Sequence, residues 1–247
     1  MTSILKYFFS LLLCGCTGLL CAQGTSQNTA ADTVSRQKMR LSFLPTSLRI
    51  GPAVNTLIQT ALDNNGTYYG LQADMPIGRF MLAMEYGHAD LRRDSEVGVP
   101  EASVFSYRSS GDYYKLGLDA NVLLDKANNS YDADDNVIFF GLRYALAIID
   151  DQVSFQTPDN IWETSAISQS NENLGVTWAE FNAGIKVSIF RNVFIGYNLR
   201  YRFLRTFLDR SSLVPYRVPG FGASDDTSDR DNFGFDYYIY YRIPFRK

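Results

Sequence analysis

From residue 47 onward the apolar and polar positions alternate with a period of two, as in a strand whose successive side chains point to opposite faces. Eight runs carry the pattern, at about 47–60, 67–76, 79–90, 112–124, 136–150, 177–190, 193–208 and 232–245. Several exceed the usual strand of about 5–6 residues. All reach the about 9–11 residues that a tilted membrane-crossing strand needs. In the run from Ile138, one face collects Ile138, Phe140, Leu142, Tyr144, Leu146 and Ile148, and the other Phe139, Gly141, Arg143, Ala145 and Ala147. The last run sets Phe233, Phe235, Tyr237, Ile239, Tyr241, Ile243 and Phe245 against Asp236, Tyr238, Tyr240 and Arg242.

The sense of the split separates two kinds of sheet. One face is large and apolar throughout; the other is small, polar or charged, with repeated glycines. The second face holds Arg49, Asp74, Glu85, Lys115, Asp119, Arg143, Glu180, Lys186, Arg200, Arg202, Asp236 and Arg242, seven basic and five acidic side chains. A soluble ligand-binding barrel shows the inverse, an apolar interior and a charged exterior. A soluble sandwich would turn the charged face to water, but opposed charges and glycines suit a narrow closed interior better. The pattern therefore predicts a closed antiparallel up-and-down transmembrane β-barrel of about eight strands, its lumen filled by side chains. Opposite charges packed there would satisfy one another as a structural network.

The connections give a separate indication. The links at about 61–66, 91–111, 151–176 and 209–231 alternate with those at 77–78, 125–135 and 191–192. Apart from 125–135, this is the order of long outer loops and short periplasmic turns, with both termini periplasmic. A ten-stranded alternative would use Ser103–Tyr107 as a separate piece; as an extension of a strand above the membrane it leaves the number at eight.

Residues 1–22 read as a signal peptide, with Lys6 at its charged start, the apolar stretch Tyr7–Leu20 and cleavage between Ala22 and Gln23. Two alternatives attach to this segment: a lipobox ending at Cys16, which Cys14 spoils, and a membrane anchor, for which the stretch is short. All three cysteines, Cys14, Cys16 and Cys21, fall within it, so cleavage leaves an exported chain with no disulfide. Residues 23–46 read as a flexible periplasmic leader with a basic stretch from Arg36 to Arg40, and 47–247 as the barrel. Asp32-Thr33-Val34 matches a short O-glycosylation acceptor at Thr33.

Composition excludes more than it assigns. A single histidine in 247 residues removes His-rich zinc chemistry. The net charge of −3 argues against non-specific nucleic-acid binding. The link 150–176 is acidic, with Asp150, Asp151, Asp159, Glu163 and Glu172. Asp225 to Asp231 resembles a calcium loop but lacks the required Gly and Glu. These acids, with Asp132, Asp134 and Asp135, read as solvated loop, so no metal or other cofactor is expected. His88 lies on the apolar parity late in the third run. With a loop serine such as Ser106 it is a candidate catalytic pair for outer-leaflet lipid, since a serine nucleophile needs an adjacent base. No G-x-S-x-G accompanies it.

Several stretches taken together resemble one family. They are Leu48-Arg49-Ile50-Gly51, Phe80-Met81-Leu82-Ala83-Met84-Glu85-Tyr86-Gly87, Phe140-Gly141-Leu142-Arg143-Tyr144, the run from Trp178 to Val187, Val218-Pro219-Gly220-Phe221 and Tyr241-Arg242-Ile243-Pro244-Phe245. They are similar to an uncharacterised family of small outer-membrane β-barrel proteins of the Bacteroidota, a domain of unknown function. The resemblance spans most of the chain after the signal. It implies an outer-membrane barrel and supplies no activity, substrate or catalytic residue. The aromatic C-terminal strand resembles the signal read by barrel-assembly machinery, although Arg246 and Lys247 follow Phe245.

The expectation is a non-enzymatic structural or accessory component of the cell envelope, in the outer membrane of a Gram-negative bacterium. Its partners would be outer-membrane lipid, the assembly machinery during insertion and an envelope protein. The alternatives are a lipid A-modifying hydrolase or acyltransferase acting through His88, and a narrow channel for small solutes.

Overall fold

The structure is a computed structural model and describes residues 44–63, 65–97, 103–123, 136–156, 166–208, 214–223 and 232–245. The signal peptide, its Ala22–Gln23 junction, Thr33, the basic leader and the acids at 132–135 and 225–231 lie outside these residues.

Eight antiparallel strands close a ring: β1 (Ser47–Pro52), β2 (Gly66–Ile77), β3 (Phe80–Val97), β4 (Ser103–Asn121), β5 (Val137–Gln156), β6 (Ala166–Phe190), β7 (Val193–Phe207) and β10 (Asn232–Pro244). Each pairs with its sequence neighbour, and β1 closes on β10 with Ser47 opposite Pro244. The expected up-and-down barrel is borne out. Ser103–Tyr107 belongs to β4 and adds no strand to the ring.

The wall sorts its side chains as the alternation requires. Tyr114, Leu116, Leu118, Phe140, Leu142, Tyr144, Phe181, Phe235, Tyr237 and Ile239 face outward and exposed, Leu142 at 62% of its surface. Water-soluble proteins rarely carry an apolar belt of this extent, whereas a lipid-facing wall requires it. Backbone polarity is consumed within the ring, as the hydrocarbon layer demands.

Three of the expected stretches differ in the structure. The run at 47–60 is not one strand: β1 stops at Pro52, and α1 (Val54–Leu62) follows. Val54, Leu57, Ile58, Ala61 and Leu62 recur at helical spacing, so the stretch is amphipathic as a helix and not as a strand. The links at 91–111 and 151–176 are also not simply loops. β3 and β4 stay paired as far as Val97 and Ser103, and β5 and β6 as far as Gln156 and Ala166. β2 reaches only Gly66 and β7 only Phe207, so these four strands rise past their neighbours as a largely polar sheet. On β4 and β5 one face of that sheet is apolar, with Phe105 and Val153 packed on buried Tyr107; the β3 and β6 segments are largely polar, so no apolar alternation marks them in the sequence.

Candidate functional site

Ten of the twelve charged side chains assigned to the inner face are buried: Arg49, Asp74, Glu85, Lys115, Asp119, Arg143, Glu180, Lys186, Arg200 and Asp236. Arg202 joins them, half-buried. Toward the short-turn end, Asp74 accepts from Arg49 Nε at 2.7 Å and from Lys186 Nζ at 2.5 Å. Phe139, Phe194 and Tyr240 surround these two cations with their ring faces.

Above this layer lies one connected cluster. Arg143 binds Asp119 at 2.9 Å and Glu85 at 3.4 Å. Arg200 reaches Glu85 at 2.6 Å, Asp236 at 2.7 Å and Glu180 at 3.3 Å. Lys115 and Arg202 converge on Glu180 at 2.9 and 3.2 Å, and Trp178 Nε1 donates to it at 2.8 Å. Arg200 and Glu85 also share the Tyr238 hydroxyl. Four cations thus face four carboxylates, and the cluster is neutral. Such pairing offsets a desolvation cost of several kcal/mol per ion. Arg242 stands at the edge of the assigned set, its guanidinium over the Phe194 ring. It sits half-buried at the turn-side rim and donates to the Arg191 carbonyl at 2.7 Å. The amides of Gln72, Asn182 and Asn198 are buried with no protein partner, a setting that calls for ordered water.

The end opposite the short turns is closed by a segment the sequence assigned to a loop. β8 (Arg217–Val218) and β9 (Gly222–Ala223) form a small hairpin whose tip enters the barrel. Val218 and Phe221 are buried, and Phe221 meets Trp178 edge to face at 5.6 Å between ring centroids. The network grips the tip: Lys115 Nζ donates to the Gly220 carbonyl at 3.2 Å, and Arg202 Nη1 to the Phe221 carbonyl at 3.0 Å. Gly220 has φ +75, and a Cβ there would stand 2.5 Å from the Tyr113 ring. On the wall, a Cβ on Gly87 would stand 2.3 Å from the same residue. Tyr113 thus fits only because both neighbours are glycine.

His88 is outward-facing and half-buried, stacked on Tyr69 at 5.3 Å. Its Nδ1 lies 2.9 Å from Asp112 Oδ1, to which Tyr86 also donates at 3.1 Å. Ser106 is not its partner: it is paired with Asp94 in the β3–β4 register, six residues from the His88–Asp112 pair. The Ser106 hydroxyl donates to Asp94 at 2.7 Å and holds that carboxyl below its usual range. Among the described residues, no serine or threonine hydroxyl hydrogen-bonds His88. Nor do at least three His, Cys, Asp or Glu side chains there converge as a metal site.

A family model described as Domain of unknown function (DUF6048) matches residues 4–247. The chain belongs to the DUF6048 family. No curated protein matches it. A solved structure with a similar chain trace is the crystal structure of Ail, the attachment invasion locus protein of Yersinia pestis. The match covers 81% of this chain and 98% of that one, at 13% identity and a TM-score of 0.29.

In this DUF6048 chain, Val218-Pro219-Gly220-Phe221 is the plug tip. Its sequence signal is two apolar residues flanking a Pro-Gly turn inside an otherwise polar link. Gly220→Val should unseat the tip and expose Arg217, whose backbone N–H donates to the Tyr107 hydroxyl. Limited trypsin digestion in micelles would show faster cleavage after Arg217; an unchanged rate would mean that the tip tolerates the side chain.

Asp151 lies in the polar sheet beyond the barrel. Burial raises its carboxyl above the usual range, Asn171 opposes the rise and Asp150 adds to it. A carboxyl with a raised folded-state pKa favours folding below its ordinary value of 3.8 and loses that contribution as pH rises through the folded value. Asp151→Asn should therefore raise the unfolding midpoint at pH 7 and leave it nearly unchanged at pH 3. Denaturant titration at both pH values checks this; equal effects would remove burial as the cause.

Proposed function

We propose that this protein is a non-enzymatic structural or accessory component of the outer membrane of a Gram-negative bacterium. It is exported by a cleaved signal and inserted by the barrel-assembly machinery, with its termini in the periplasm. The sealed lumen carries the reading: a neutral ionic cluster fills the middle and an apolar loop tip stops the outer end. That arrangement stabilises a wall and leaves conduction little room. The polar sheet of β3 to β6 is then the element presented to an envelope partner. Gentle solubilisation followed by affinity capture of the tagged protein tests the role. A reproducible partner lost on trimming 92–108 and 151–172 is expected; no partner, together with an intact envelope in a deletion strain, would refute it. Planar-bilayer recordings are expected to show no conductance.

A second reading rests on the His88–Asp112 pair, because a carboxylate at Nδ1 orients an imidazole as a base. In this reading the protein modifies outer-leaflet lipid. A deletion strain with unchanged lipid A mass spectra would eliminate it.

A further inference from the structure

Past Pro52 no strand lies between β2 and β10 among the described residues, and α1 fills that place. Thr60 Oγ1 accepts the Tyr68 N–H at 2.7 Å, and Asn55 Nδ2 donates to Asp236 Oδ1 at 2.8 Å. Leu57, Ile58 and Leu62 of the helix are exposed, as on the lipid-facing wall. Asn55 and Gln59 instead line a cavity of about 210 Å³, which Tyr68 and the plug complete.

The charges on its wall fall into two groups. Lys115, Arg202, Glu85 and Asp236 line the cavity but are spent within the ionic cluster. Lys115 meets Glu180 at 2.9 Å and the Gly220 carbonyl at 3.2 Å. Arg202 meets Glu180 at 3.2 Å and the Phe221 carbonyl at 3.0 Å. Glu85 and Asp236 both hold Arg200, at 2.6 and 2.7 Å. Arg217 stands apart. It belongs to the plug strand β8, is half-buried, and places its guanidinium over the Tyr68 ring, 5.5 Å from the centroid. Among the described residues no carboxylate is in ion-pair range of Arg217, and no acceptor meets its side-chain donors. Asp63, at the end of α1, is held by the Tyr68 hydroxyl at 3.2 Å and the Asn65 N–H at 3.0 Å. Because the cluster is neutral, Arg217 leaves the wall with one unbalanced positive charge.

That charge and the remaining polar atoms define a ligand. A guanidinium laid on an aromatic face keeps its forked N–H donors for a planar partner, and a carboxylate engages two of them at once. Glu85 and Asp236 on the same wall oppose a second negative charge, which disfavours a phosphate monoester of about −2 at neutral pH. The Thr56 hydroxyl donates to the Ala53 carbonyl and the Tyr68 hydroxyl to Asp63, so neither is free to donate. Asn55 Oδ1 is shielded from solvent and accepts no hydrogen bond. A shielded acceptor left open calls for a donor, so the ligand that brings the carboxylate also brings hydroxyls. The volume lies below the about 300–1,000 Å³ of drug-sized sites, which limits the ligand to one ring.

We propose that this cavity binds the ring of a sugar acid, with its carboxylate on Arg217 and a hydroxyl on Asn55. Arg217 is part of the plug and Asn55 part of α1, so the bound acid ties one to the other. The inference is separate from the accessory role, which stands if no sugar acid binds.

The test uses the mature protein in lipid nanodiscs and saturation-transfer NMR, with glucuronate, glucose and glucose 6-phosphate as soluble probes. Glucuronate is expected to bind tighter than either of the others by about tenfold or more, the effect of one charge-assisted hydrogen-bonded pair. Arg217→Gln, which keeps the backbone bonds of the plug, should weaken glucuronate by about the same factor. Leu57→Gln on the outward face should leave it unchanged. Saturating glucuronate should also slow trypsin cleavage after Arg217. Glucuronate that binds no tighter than glucose, or not at all, would overturn the charged site. Glucose 6-phosphate binding as tightly as glucuronate would overturn the single-charge reading. Glucuronate binding undiminished in Arg217→Gln, or cleavage after Arg217 unslowed, would overturn its placement on the plug. Dodecyl glucuronide in the nanodisc membrane separates the sources: tighter binding than the free acid assigns the ring to a glycolipid, equal binding assigns it to a soluble sugar acid, and either result supports the site. The comparison of probes in the unaltered protein decides the matter even if Arg217→Gln does not fold.

Discussion

Replacing Glu180 with glutamine is expected to lower the unfolding free energy in lipid vesicles by about 3–5 kcal/mol, the usual result of removing one partner from a buried ionic cluster. Glu180 is fully buried and accepts from Lys115, Arg200, Arg202 and Trp178. Glutamine keeps the length and one carbonyl acceptor, so the lost quantity is charge and not volume. Four cations would then face three carboxylates in a space that solvent scarcely enters. Urea titration followed by the difference in gel mobility between folded and unfolded barrels reads the change. A shift below about 1 kcal/mol would mean that the cluster behaves like surface pairs screened by water.

Leu142→Arg is the second large effect. Leu142 is exposed on the outward face, between Leu118 and Phe181 of the neighbouring strands. An arginine near the bilayer midplane of a barrel wall costs about 2–4 kcal/mol. The same change at a water-exposed position of a soluble sheet falls within about 0.5 kcal/mol. One substitution therefore separates the two environments. A neutral result in vesicles, with normal folding, would remove lipid from the outward face of β5.

The parts of the fold legible in the sequence are those where one face meets lipid and the other the interior. Over 138–148 of β5, 193–203 of β7 and 233–243 of β10 every second residue is apolar, and that contrast marks both the strands and the inward set from Arg49 to Asp236. Legibility fails where the contrast disappears. Arg92 to Glu96 and Ser168 to Asn173 are strands in a largely polar sheet, and nothing in their composition distinguishes them from loop. At Val54–Leu62 the apolar residues recur every three and four positions, but the segment continues directly from β1 and was absorbed into it. The candidate site divides the same way. The charges were visible as a set; which carboxylate each cation meets depends on register. The plug and the cavity depend on long-range packing that no local pattern encodes. His88 stands on the outward face that its parity gives it, whereas Ser106 does not pair with it because the two residues stand at different heights on β3 and β4.

The ionic cluster also governs how the chain enters the bilayer. Glu85 and Arg200 are 115 positions apart, Asp74 and Lys186 are 112 apart, and Glu85 and Tyr238 are 153 apart. A half-inserted hairpin would present these ions to hydrocarbon with their counterparts still in water. Arg49 with Asp74 and Arg143 with Asp119 do pair across adjacent strands, but Lys186 on Asp74 and Arg200 on Glu85 arrive only with later strands, so stepwise threading passes through intermediates with part of the cluster unpaired. Closing contacts this distant is slow for any chain, which makes unassisted integration a poor competitor to aggregation.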